Sequence, residues 1–295
     1  MTNCDQGSCD QGGCSAQNTQ QKQQQKQQEQ EQSVKETLAQ IKHKFVVMSG
    51  KGGVGKTSVS VNLAMALAEK GYRVGIMDVD VHGPDVPRML GLTGLLTGDG
   101  QKLSPMRYSD NLAAISIEGL MPDKDSAVIW RGPLKHSAIT QFVSDVDWGP
   151  LDFLIVDSPP GTGDEPMSVA QTIPDAQAII VTTPQEVALS DVRKSINFCN
   201  KVQISVFGLI ENMSGYVCPH CGEAIDLFGS GGGEKTAQQF GLTFLGRIPF
   251  EPNLVKAGDA GQSYMTAYAD SAVTKALDQI VDRMGDLVTL QASAD

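Results

Sequence analysis

The chain has 295 residues, and its 23 Lys and Arg against 34 Asp and Glu leave a formal charge of −11, which disfavours wholesale contact with nucleic acid or an anionic membrane. Apolar residues make up 40%, enough for one large core or two modest ones, so disorder throughout is excluded. No apolar run approaches the ~20 residues that span a bilayer, and MTNCDQGSCDQ lacks the basic and apolar regions of a signal peptide, so a cytoplasmic protein with no membrane and no nucleic-acid partner is expected. Six cysteines in a reducing compartment point to metal or redox chemistry rather than to a disulfide framework.

Cys4, Cys9 and Cys14 are evenly spaced, and nine of the thirteen residues from Gln20 to Gln32 are Gln. Such a segment has little to bury, so residues 1–33 are expected to form a flexible tail ahead of a folded domain spanning 34–295. A short helix is expected from about Ser33 to Lys42. KFVVMS then reads as a strand, and TSVSVNLAMALAEKG is apolar at helical spacing up to Gly71. RVGIMD, NLAAISIEG, LDFLIVD, QAIIVTT, VFGLIEN and TFLGRIP are further strand candidates, and the stretch from about Ser271 to Gln291 reads as a closing helix. Several strands are continuously apolar, as strands covered on both faces are. The intervening helical stretches therefore argue for an α/β fold with a mostly parallel sheet.

Between the first strand and first helix lies Gly50-Lys51-Gly52-Gly53-Val54-Gly55-Lys56-Thr57, a match to G-x-x-x-x-G-K-[ST] in the context that motif requires. Its glycines let backbone N–H groups curl around phosphates, Lys56 neutralises their charge, and Thr57 is placed to ligate Mg²⁺. Asp157 closes LDFLIVD as the metal-side carboxylate of a P-loop protein would, and the following SPPGTGD, with Gly161, suits a loop that senses the γ-phosphate. Asp78, Asp80 and Asp85 offer three carboxylates at the exit of the second strand, and spacing alone does not select among them.

Cys218-Pro-His-Cys221 is a C-x-x-C in a Gly- and Pro-rich loop. One such pair supplies two thiolates where a closed cluster or structural zinc takes four, and the domain has no second pair, leaving a redox dithiol or a centre shared between two subunits. His220, between the thiols, reads as loop filling. Cys199 keeps step with Leu189, Val192 and Ile196, so it belongs to a core.

GKGGVGKT, IMDVDVHGPDVPRMLG, IWRGPLKHSAITQFVSDVDWGPLDFLIVDSPPGTGDE, GLIENMSGYVCPHCG and GRIPFEP together resemble the Mrp/ApbC family of ATP-binding iron-sulfur cluster carriers, over about residues 42–290. The resemblance implies a P-loop NTPase that hydrolyses ATP and carries [4Fe-4S] clusters to apoproteins, receiving them from an assembly scaffold. It implies that Lys51 reaches across a homodimer to the partner's phosphates, that Asp80 orients water and Mg²⁺, and that Asp157 and Gly161 belong to the metal and γ-phosphate loops. It further implies that Asn212 reads the adenine and that Cys218 and Cys221 bind a cluster bridging two subunits. The three tail cysteines depart from the four-cysteine N-terminal pattern of relatives, so the resemblance stops at about residue 40. The rival reading is a Min/Par-type positioning ATPase, which calls for a membrane-binding helix or a basic DNA face. The acidic C-terminal stretch provides neither, and that class leaves the C-x-x-C unexplained.

Overall fold

Strand β1 (Ile41–Ser49) shows why the apolar runs do not alternate with polar residues: Phe45 and Val47 enter one core cluster, while Val46 and Met48 enter another on the opposite face. The computed structural model describes residues 13–80, 83–100, 102–120, 132–218 and 220–293. β2 (Val74–Asp78) is likewise wholly buried. A small hairpin of β3 (Thr97–Gly98) and β4 (Leu103–Ser104) precedes β5 (Met106–Arg107) and β6 (Leu112–Ser116). β7 (Leu151–Asp157), β8 (Gln177–Thr182) and β9 (Val206–Glu211) follow; then come a second hairpin, β10 (Tyr216–Val217) with β11 (Ala224–Ile225), and finally β12 (Phe244–Arg247). The main sheet has the order β12-β9-β8-β1-β7-β2-β6-β5, parallel throughout except for the antiparallel edge strand β5. All seven expected strands are present.

Helices cover both faces. α2 (Lys56–Glu69) and α10 (Ala272–Ala292) pack in the cluster on one side, α10 through Val273, Leu277, Ile280, Val281, Met284 and Val288. The opposite cluster takes Phe142 and Val143 from α4 (Gly132–Ser144), Val169 from α5 (Asp164–Thr172) and Phe198 from α6 (Glu186–Val202). Cys199 is in that core, its Sγ 3.8 Å from Met48 Sδ, and burial pushes its thiol up to about 11. Shorter helices α3 (Val86–Met89), α7 (Gly232–Gln239), α8 (Pro252–Asp259) and α9 (Tyr264–Ala267) complete the fold.

The N-terminal segment differs from the expectation of a short helix at 33–42. Helix α1 runs from Gly13 to Ala39, and Ile41 and Lys42 already belong to β1. Gln, Lys and Glu are adequate helix formers and the stretch after Gly13 lacks Gly and Pro, so it extends backwards from an anchored end. The anchor is Leu38, buried in the core, with Val34 packed against it and the Ser33 hydroxyl donating to the Ser144 carbonyl at 2.9 Å; residues 24–29 are exposed. Cys4 and Cys9 lie outside the described residues.

Candidate nucleotide and thiol sites

β1 ends at Ser49 and α2 begins at Lys56, so the glycine-rich turn between them lies at the carboxyl edge of the sheet, beside the ends of β7 and β2. Asp157, fully buried, gathers three partners from α2: Lys56 Nζ is 2.7 Å from Oδ1, Ser60 Oγ donates to Oδ1 at 2.6 Å, and Thr57 Oγ1 donates to Oδ2 at 2.8 Å. A carboxylate without water needs such pairing. In this state the P-loop lysine rests on the carboxylate.

Asp78 is opposite Asp157 in the β2–β7 register and is also fully buried. Burial, then the neighbouring Asp157 charge, pushes its carboxyl well above the usual range, although it accepts N–H bonds from Asp80 and Val86. Two carboxylates thus face each other at this strand exit, and the second is disfavoured as a charge by the first. Of the three carboxylates at this strand exit, Asp78 is the one inside; Asp80 is half-buried and Asp85 is exposed immediately before α3. His82 is outside the described residues.

Two glycines are required here by geometry. Gly55 has φ +80°, and a Cβ on it would fall 2.3 Å from Asn212 Nδ2. Gly161 has φ +92°, and its N–H donates to the Ser49 carbonyl at 2.8 Å, tying the loop after β7 to the start of the P-loop. That loop leads into α5, whose first-turn Glu165 forms a largely buried ion pair with Lys135 of α4. Lys51 is half-buried, with no ion pair to its ammonium among the described residues. Asn212 braces the P-loop: its Nδ2 donates to the Val54 carbonyl at 2.9 Å.

The thiols stand on the β10–β11 hairpin. Cys218 N–H donates to the Glu223 carbonyl at 2.9 Å and Gly222 N–H to the Cys218 carbonyl at 2.8 Å, closing a tight turn. The backbone N–H groups of Cys221 and His220 point at the Cys218 sulfur and, with the Cys221 thiol, lower its pKa. Cys218 is half-exposed and Cys221 exposed, beside the exposed apolar side chains of Val217, Ile225 and Leu227. No group of three or more His, Cys, Asp or Glu residues placed to hold a metal occurs among the described residues.

Comparison with known proteins then decides the family. Residues 40–285 match the ParA family model described as NUBPL iron-transfer P-loop NTPase. The chain belongs to this family.

Relatives among the iron-transfer NTPases include a cytosolic Fe-S cluster assembly factor NUBP2 homolog of Dictyostelium discoideum, 49% identical over 82% of this chain and 94% of that protein. An iron-sulfur cluster carrier protein of Saccharolobus solfataricus is 47% identical over 86% of this chain and 87% of its own length. Among solved structures, a nucleotide-binding protein from Archaeoglobus fulgidus in complex with ADP is 37% identical, with a TM-score of 0.70 over 79% of this chain and 91% of that one. The Aquifex aeolicus cell division protein MinD, 20% identical with a TM-score of 0.61 over 83% of this chain and 97% of that one, shares the fold.

Ser60 was not legible as a site residue: it lies one turn beyond Lys56 on the same helix face, but its bond to Asp157 joins positions far apart in the chain. Glu211 was also missed. It closes an apolar strand just as Asp157 does, and it too is fully buried.

Proposed function

We propose that this chain is an ATP-hydrolysing carrier of [4Fe-4S] clusters that works as a homodimer and delivers its cargo to apoproteins. The observation that carries the reading is the incomplete thiol pair, Cys218 and Cys221, raised on a hairpin at the nucleotide edge of an iron-transfer P-loop NTPase. Two soft ligands per chain match half of a closed cluster site, and a two-fold axis brings a second pair to complete it. Val217, Ile225 and Leu227 give the hairpin an apolar rim for burial against its copy.

At the nucleotide, the donor set fits magnesium: the Thr57 hydroxyl and the Asp157 carboxylate are hard oxygen ligands 2.8 Å apart at a strand exit. Bound there, the ion offsets charge on the β- and γ-phosphates. Backbone N–H groups of residues 50–57 wrap the phosphates, and Lys56 leaves Asp157 for them, releasing the carboxylate. Asp80 orients the attacking water, and Lys51 reaches the partner's nucleotide. Gly161, bonded to Ser49, carries the γ-phosphate state into α5. Asn212 meets the adenine on leaving Val54.

The test is anaerobic purification followed by iron, sulfide and zinc analysis with sizing. About four iron atoms and matching sulfide per dimer support the carrier. Colourless protein holding zinc, or a full cluster on a monomer, overturns it.

A further inference from the structure

Glu211 is a fully buried carboxylate that the nucleotide chemistry does not use, and its bonds go to both ends of the segment that carries the thiols. Oε1 accepts from the Ser214 hydroxyl and from Gly231 N–H at 2.8 Å; Oε2 accepts from Gly233 N–H at 2.5 Å. Ser214 enters the β10–β11 hairpin and Gly231 leaves it, so one side chain clasps the root of the hairpin. Arg247 Nε lies 3.7 Å from Oε1, the nearest cation, itself engaged with Glu234. A buried charge held by three hydrogen bonds is costly to disturb, which makes the clasp stiff.

On its other side Glu211 adjoins the P-loop. The next residue, Asn212, holds the Val54 carbonyl and abuts Gly55. Then comes Met213 at φ +55°, one of two non-glycine residues with positive φ among the described residues. An unbranched side chain in the left-handed region carries strain of about 1 kcal/mol, and it persists only when its neighbours fix it. Here they do: Ile248 N–H donates to the Glu211 carbonyl at 2.8 Å and Ser214 N–H to the Ile248 carbonyl at 2.9 Å, pinning the chain on either side. Phe250 continues the seam, donating N–H to the Gly215 carbonyl and packing edge-on against Tyr216 and Phe228.

We propose that Glu211 is the positioning residue through which the state of the P-loop is passed to the thiol hairpin, with Met213 as the strained joint between them. Nucleotide rearranges the backbone around Val54 and Gly55; Asn212 follows it; Met213 shifts between two backbone states; and Glu211 forces the hairpin root to move as one piece. The inference rests on the carrier reading for its purpose but on the P-loop alone for its mechanism.

The test uses the full chain, metal-free and reduced, and follows iodoacetamide labelling of Cys218 and Cys221 by mass spectrometry with and without ADP. Cys199, buried with a raised thiol pKa, is the silent internal reference. In the wild type, saturating ADP should change the labelling rate about fivefold, in the range of ordinary coupling. In Glu211→Gln, which puts an amide donor against the glycine N–H groups, and in Ser214→Ala, which removes one bond, the ratio should fall toward one while ADP affinity stays within about twofold. Ser214→Ala decides the matter should Glu211→Gln fail to fold. A wild-type rate indifferent to ADP, or a full ADP effect retained in a folded variant, overturns the proposal. Because the protein is metal-free throughout, a failure of the carrier reading in the iron analysis leaves this test standing.

Discussion

The floor of the P-loop and the thiol hairpin lie at the same edge of one sheet and are built on opposite plans. Asp157 is wholly buried and satisfied by Lys56, Thr57 and Ser60 of its own chain, whereas Cys218 and Cys221 stand on a hairpin with their thiols open to the surface. The first plan stores a charged network that nucleotide must rearrange; the second leaves soft ligands for something that arrives from outside. A buried charge has to be paired within the fold. A thiol pair on a surface hairpin is under no such constraint.

The largest expected effect comes from the open site. Cys218→Ser should abolish stable cluster binding as fully as the double variant with Cys221→Ser, because each substitution removes two ligands from a shared centre at once. ADP binding, measured by calorimetry, should be unchanged. A cluster retained by Cys218→Ser would place the ligands elsewhere.

Lysine substitutions break the closed site unequally. Lys56→Ala should abolish detectable ADP binding and also destabilise the nucleotide-free fold by about 3 kcal/mol, since Asp157 stays buried without its cation. Lys51 makes no such pair among the described residues, and Lys51→Ala should leave monomer binding and stability nearly intact and lose ATP hydrolysis by about a hundredfold. Equal loss of nucleotide binding in both variants would remove the trans role assigned to Lys51. Gly55→Ala should act on the same brace more mildly: its Cβ collides with Asn212 and its φ is left-handed, a penalty of about 1–3 kcal/mol visible in ADP affinity and in thermal unfolding.

How much of this was legible beforehand divides along the same line. The seven main strands were readable because burial on both faces makes them continuously apolar, and the P-loop because its spacing is set by phosphate geometry. β5 has two residues and no period to read. α1 was misjudged because a Gln-rich stretch carries no apolar face, yet Leu38 and Val34 anchor it and its propensity then suffices. At the site, Asp157 was found by its position, while the bond from Ser60, the upward push on the Asp78 carboxyl and the clasp made by Glu211 depend on contacts across about 20 to 100 residues that no local pattern announces. The brace made by Asn212 was hidden for a further reason. Its resemblance implied a role toward adenine, and only the fold shows it holding Val54.

The smallest effect comes from the far end of the sheet, and it asks whether both sites are indifferent to a change made there. Asp152, second residue of β7, lies beside Lys42 of β1 and Arg73 ahead of β2; Lys42 Nζ lies 2.8 Å from Oδ1, and Arg73 N–H donates to Oδ2 at 2.8 Å. Burial alone would raise this carboxyl, but the hydrogen bonds from Lys42 and from the Arg73 backbone and guanidinium outweigh it and hold the pKa at about 2. A carboxyl depressed below its unfolded value of 3.8 stabilises the fold fully above that value and loses the contribution as pH falls toward 2. Lys42 and Arg73 are largely exposed, so solvent screening reduces the gain to about 1 kcal/mol or less. Asp152→Asn should therefore unfold at slightly lower urea than the wild type at pH 7, by an amount that shrinks between pH 4 and pH 2 and vanishes below. ADP affinity and the labelling of Cys218 and Cys221 should not change in the variant, because no described contact of Asp152 reaches the carboxyl edge. A shift in either would mean that the two sites respond to the whole sheet rather than to the short path from Val54 through Asn212 to the hairpin.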